Sequence, residues 1–155
     1  YENLDEVLVY PGTFNESYET EARARNILGM VGDGVLHRKM IISLEALRAG
    51  FKQSATGNTA IHEFVHLIDK ADGDVDGVPH YLIPKDLVRP WIKEMRETID
   101  EIKKNKSDIR DYAATNEAEF LAVLSEYFFQ NFHLLKTDHP VLYQLLHEIY
   151  SLRHV

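Results

Sequence analysis

The sequence predicts an α+β fold that is predominantly helical, with a small sheet. Three observations carry this. Two short β-rich runs stand in the first third of the chain, Glu6 to Tyr10 and Val35 to Ser43. Three segments beyond residue 84 repeat apolar side chains at helical spacing. Strands and helices are unevenly distributed along the chain, the pattern of a small sheet with helices beside it.

Taken in order, Glu6 to Tyr10 runs into Pro11-Gly12, a strand followed by a turn. From Glu16 to Met30 charged and apolar residues alternate at helical spacing, and Gly29, Gly32 and Gly34 close the pattern, which predicts a helix. Val35 to Ser43 is the second strand, with Met40, Ile41 and Ile42 at its buried end. Ser43 caps a short helix from Leu44 to Ala49, closed by Gly50. A linker, Lys52 to Gly57, delivers the chain to a helix over Asn58 to Asp69, capped by Asn58 or Thr59. Ala60, Ile61, Phe64, Val65, Leu67 and Ile68 make this helix apolar on more than one side, as in a buried helix.

Ala71 to Pro79 is dense in Asp and Gly. Asp72, Asp74, Asp76 and Gly77 match the opening of a calcium loop, but its twelfth position, normally a bidentate Glu, is Ile83, so a tight acidic turn is the favoured reading. Pro84 to Asn105 is helical, with Pro90 starting, kinking or interrupting it and Leu87, Val88, Trp91, Ile92, Met95, Ile99 and Ile102 at helical intervals. Asn116 to Gln130 is a strongly apolar helix. The tail, Pro140 to Arg153, is amphipathic, with Leu142, Leu145, Leu146, Ile149 and Leu152 on its packed side.

At 155 residues the expectation is a single domain, residues 1–155, with a core that needs no covalent staples. Because it opens on Tyr1 rather than Met, it is expected to be part of a longer chain. An apolar fraction of 45% and a charged fraction of 27% are those of a soluble globular protein. A net charge of −8, with the basic residues scattered apart from the run Lys103-Lys104-Asn105-Lys106, argues against nucleic-acid binding. No apolar run reaches the ~18 residues of a membrane span. The chain has no cysteine, so any metal must be held by His and carboxylates.

The chemistry is concentrated in His62-Glu63-Phe64-Val65-His66, an H-E-x-x-H sequence. Residues four apart on a helix lie about 40° from each other around its axis, so both imidazoles point the same way and can share one metal ion. Glu63, about 100° from His62, can reach a water on that metal without ligating it, the place of a general base. An ordinary core helix whose histidines bond to carbonyls would carry the same five residues. Asp69 lies on the side of both histidines and is either a carboxylate behind an imidazole N–H or a helix-end residue.

A catalytic zinc takes three protein ligands and leaves a position for water. Four past His66 is Lys70, which is no ligand, so the third comes from elsewhere. The apolar helix from Asn116 offers Glu117, Glu119 and Glu126; Glu119 and Glu126 share a side, and Glu117 points away from it. Asn116 with Glu119 also reads as a helix-capping pair.

The segments His62 to Asp69, Asp76 to Pro79 (with Gly77 and Val78) and Tyr112 to Phe129 together resemble the Mlc titration factor A family of bacterial zinc peptidases. The last of them, Tyr112 with Thr115-Asn116-Glu117-Ala118-Glu119-Phe120, is also similar to a segment of the anthrax lethal factor catalytic domain, which has a further carboxylate where this chain has Val123. The resemblance implies a zincin-like metallopeptidase domain with an H-E-x-x-H helix, Glu119 as third zinc ligand and Tyr112 as a hydrogen-bond donor to the transition state. It further implies a cytoplasmic protein with aminopeptidase-type activity on small substrates, a peptide or protein as substrate, and similarity to a protein that binds a transcriptional repressor. The family is longer at its amino end than this chain.

The mechanism so implied is peptide hydrolysis by zinc-activated water. His62, His66 and Glu119 hold Zn2+, Glu63 transfers the proton, and Tyr112 stabilises the oxyanion. Val35 to Ser43 would lie beside the cleft and pair with extended substrate. Two rival readings are a repressor-binding module with a relict or structural zinc site, and a helical packing domain without metal. The intact Glu63 argues against the first, since a structural site needs no base.

Overall fold

The computed structural model describes residues 4–21, 26–32, 34–52 and 57–151. The chain divides into two compact units, Tyr1–Leu67 and Ile68–Val155.

The first unit is built on a three-stranded sheet of β1 (Glu6–Tyr10), β2 (Gly29–Val31) and β3 (Lys39–Ser43), in the order β1-β3-β2. β1 runs parallel to β3 and β2 antiparallel to it, so Leu8 and Met30 both stand opposite Ile41. Met40 to Ser43 are all buried, whereas Val7 and Val9 on β1 are exposed. Ile41 packs with Phe14 and Leu36, and Tyr10, Tyr18, Ile27 and Met30 close around them. Ser43 then caps α1 (Leu44–Gly50), its hydroxyl accepting the Ala46 N–H at 3.1 Å.

Two expectations need correction here. The helix over Glu16 to Met30 does not form among the described residues; residues 22–25 lie outside them. Asn15 Oδ1 accepts the amides of Ser17 and Glu19, each at 2.9 Å, and Tyr18 adopts a left-handed φ of 63°. The side chain thus supplies acceptors that a helix would have supplied from its backbone, and the chain returns as a bridge between Phe14 and Ile27 followed by β2. The strand over Val35 to Ser43 is likewise only half formed. Gly34–Leu36 is a 3-10 turn, Arg38 has a φ of 58°, and extension begins at Lys39. Since β3 is paired on both sides, it offers no edge to an extended substrate.

α2 (Thr59–Asp69) follows, and the division between the units falls in its last turn. The second unit is helical: α3 (Val88–Lys103), α4 (Glu117–Gln130), α5 (Phe132–Asp138) and α6 (Pro140–Tyr150). Pro90 sits in the first turn of α3, where its missing N–H leaves no helical bond unmade. Trp91, Met95, Ile99 and Ile102 line the buried face of α3, and the Trp91 ring centroid lies 5.9 Å from that of Phe120 on α4. α6 buries Leu142, Leu145, Leu146 and Ile149, as its spacing predicts; Leu152 and Arg153 lie outside the described residues. Side chains of this size contribute ~1.5–3 kcal/mol each on full burial, so the shared core dominates the stability of this unit. α5 has no counterpart in the sequence reading, because seven residues with one buried side chain, Leu135, give no period to detect. No helix among the described residues is long and apolar enough to cross a membrane.

Candidate metal centre

In the first unit, Asn58 starts α2. Its Oδ1 accepts the Ile61 N–H at 3.2 Å and its amide donates to the Gly50 carbonyl at 3.1 Å, so the helix is both capped and tied to the end of α1. One turn in, His62 and His66 are half-buried and turn their rings toward each other. The Nε2 atoms are 3.1 Å apart, with ring centroids at 4.8 Å and planes at 83°. Two ligand nitrogens held by one tetrahedral ion at ~2.0–2.1 Å stand about 3.3 Å apart. The pair is therefore already close to the separation that chelation demands, a separation that also suits one N–H···N hydrogen bond. Neutral imidazole is a good ligand for zinc and for other late first-row ions. Glu63, also half-buried, is directed against β2.

In the second unit, Asp69 ends α2 and is 1% exposed. Its Oδ2 accepts the Gly77 N–H at 2.9 Å, so this carboxylate holds the acidic turn. Within that turn Asp72 accepts the amides of Asp74 at 3.2 Å and His80 at 3.0 Å, and Asp76 accepts that of Val78 at 3.0 Å. Carboxylates bonded in this way to nearby amides are those of a tight turn, and Ile83, at the place of the missing calcium ligand, is buried. Gly77 adopts a φ of 74°, its carbonyl takes the Trp91 indole N–H at 2.7 Å, and a Cβ there would collide with the Glu117 carbonyl. The acidic turn is thus pressed onto the start of α4.

α4 carries the three glutamates into different surroundings. Asn116 Oδ1 accepts the Glu119 N–H at 2.8 Å, so the capping contact is made through the backbone of Glu119. Glu117 is exposed, Glu119 half-buried, and Glu126 buried with an ion pair to Arg110 at 2.8 Å. Tyr112 lies in the 3-10 turn Asp111–Ala114 and is 52% exposed, while the next residue, Ala113, is fully buried. Its phenol is on the surface of a turn anchored from beneath. Among the described residues, the side chains that offer ligand atoms to a metal include His62, His66 and Glu119.

Sequence reasoning missed Arg110 and Gly29. A carboxylate at position 126 on an apolar stripe was the signal for a cation; nothing marked Gly29, because the spacing before it reads as the end of a helix.

A family model described as glucose-regulated metallo-peptidase M90 matches residues 1–151. The chain belongs to this family. Membership points to a metallopeptidase-type domain and hence to a metal cofactor. Mlc titration factor A of Escherichia fergusonii is 32% identical over 162 residues, 97% of this chain and 60% of that protein. The protein of the same name from Salmonella arizonae is 32% identical over 160 residues, 96% of this chain and 63% of its own length. An uncharacterized protein of Synechocystis is 30% identical over 165 residues, 98% and 59% of the two chains. The M90 chain thus spans about three fifths of the length of these relatives.

Proposed function

We propose that this chain is a zincin-like, zinc-dependent peptidase domain in which His62, His66 and Glu119 hold one ion. The observation that carries the reading is the pair of Nε2 atoms 3.1 Å apart on α2, with Glu63 on the same helix. Two nitrogens and one carboxylate oxygen form a donor set suited to zinc with a position left for water. When bound, the ion supplies Lewis acidity and brings the pKa of water toward ~7.

The residues of the chain do the rest. Glu63 accepts the proton of the attacking water and returns it to the leaving amine. The Tyr112 hydroxyl, carried on the exposed turn before α4, donates a hydrogen bond to the oxyanion that develops on the scissile carbonyl. Asp69, whose Oδ2 accepts the Gly77 amide, is the candidate carboxylate behind an imidazole N–H. The substrate is a peptide, cleaved in the manner of an aminopeptidase, by a cytoplasmic protein whose residues 1–155 act as one domain.

A second reading is favoured by the name of the relatives, Mlc titration factor A. On this reading the domain binds a transcriptional repressor, and zinc only holds the fold. Glu63→Gln separates the two, because the amide keeps the shape of the side chain and cannot take the proton. Peptide hydrolysis is expected to fall by ~10²–10⁴-fold at unchanged zinc content. Activity within about tenfold of wild type would remove Glu63 from the base role and leave repressor binding as the better reading.

A further inference from the structure

The strand beside Glu63 has no side chain where it meets the carboxylate. Gly29 opens β2 and stands opposite Ile42 of β3. Residues directly opposite share a face of the sheet, so Gly29 and the fully buried Ile42 share one face, while Met30 and Ile41 occupy the other with Phe14 and Leu36. On the Gly29 face lies α2. A Cβ placed on Gly29 would stand 2.7 Å from Thr59 Cγ2, 2.9 Å from Glu63 Cγ and 3.3 Å from Glu63 Oε1. The backbone does not demand glycine, because Gly29 is absent from the glycines with positive φ, which are Gly34, Gly73 and Gly77. What position 29 requires is space, and the space is taken by the Thr59 methyl and the Glu63 side chain.

We propose that Gly29 is a positioning residue for Glu63: its missing side chain lets β2 lie directly under the Glu63 stem and sets where the carboxylate stands. The inference rests on the reading of Glu63 as proton acceptor. Cγ is the middle of the Glu63 side chain, so relief of a clash there rotates the whole carboxylate. Thr59, in contrast, relieves its own clash by a turn about χ1. Displacements of about 1 Å in a reacting group cost up to ~10²-fold in rate.

The test separates Glu63 from Thr59 and stability from turnover. Gly29→Ala is made in a Thr59→Ala background, once with Glu63 present and once with Glu63→Ala, and thermal melting is measured on the metal-free proteins. The melting temperature is expected to fall by about 2–4 °C or more with Glu63 present and to hold or rise with Glu63→Ala. Recovery of folded protein only in the Glu63→Ala pair counts as the same result. Equal falls, or failure to fold in both backgrounds, would place the strain elsewhere and overturn the proposal. For Gly29→Ala alone, zinc content is expected to stay at about one per chain and KM for a short peptide within about threefold, with kcat down by up to ~10²-fold. Wild-type kcat in Gly29→Ala beside an inactive Glu63→Gln would refute the positioning role and spare the base. An active Glu63→Gln would refute the base and the positioning role with it.

Discussion

α2 and α4 are both apolar helices that carry imidazole or carboxylate side chains, yet they treat those side chains differently. Along α2 only Val65, Leu67 and Asp69 are buried, and the two histidines are half-buried with their nitrogens converging. Along α4 every residue from Phe120 to Glu126 is buried, and the half-buried Glu119 lies one turn in from a capped start. The histidine geometry of α2 is local: a spacing of four sets it, whatever else the chain does. On α4 a local rule puts Glu119 and Glu126 on one side, and a residue sixteen positions before Glu126 distinguishes them, since Arg110 neutralises Glu126.

The largest expected effect on turnover in this comparison is at the turn that leads into α4. Tyr112 is half exposed, so Tyr112→Phe should leave the melting temperature and zinc content unchanged while kcat falls by about a hundredfold, the loss of one oxyanion donor. Kinetics on a peptide substrate check this, and an unchanged kcat would reduce Tyr112 to a surface residue.

Arg110→Ala sharpens the contrast between the glutamates. Removal of the guanidinium takes a cation from a buried carboxylate, a change that costs ~3–5 kcal/mol in a fully buried pair; a smaller loss is expected because the Arg110 side chain is 43% exposed and water reaches the pair. Denaturant unfolding should show this loss, and Arg110→Ala with Glu126→Leu should recover most of it. Absence of recovery would mean that Arg110 acts through some other contact.

This contrast also explains what was legible in the sequence. Ser43, Asn58 and Asn116 as caps, and the apolar stripes of α3, α4 and α6, are local signals, and the structure carries each of them. Residues 16–30 misled because helical spacing competed with an Asn15 side chain that took two amides and with a left-handed Tyr18. The surroundings of Gly29, and the identity of Arg110 as a partner of Glu126, were not legible for a related reason. Each depends on a partner more than ten residues away, Glu63 in one case and Glu126 in the other.

A smaller effect belongs to the far end of α4. Burial, together with Asp108, whose Oδ2 accepts its hydroxyl at 3.3 Å, pushes the Tyr127 pKa up to about 12 from 10.0. The folded state therefore keeps a proton that the unfolded chain loses, so stability is full below pH ~10 and declines as pH rises toward ~12. Denaturant midpoints across this range should fall in the wild type and less steeply in Tyr127→Phe. Equal slopes would mean that Tyr127 titrates as it does in the unfolded chain.

The central claim is that one of two neighbouring carboxylates in the first turn of α4 completes a metal site with the histidines of α2. Metal content by inductively coupled plasma analysis tests it most directly, on wild type, Glu119→Ala and Glu117→Ala purified after zinc supplementation. About one zinc per chain is expected in wild type and in Glu117→Ala, with most of it lost in Glu119→Ala. Equal retention in both variants, or a wild-type protein without transition metal, would contradict it.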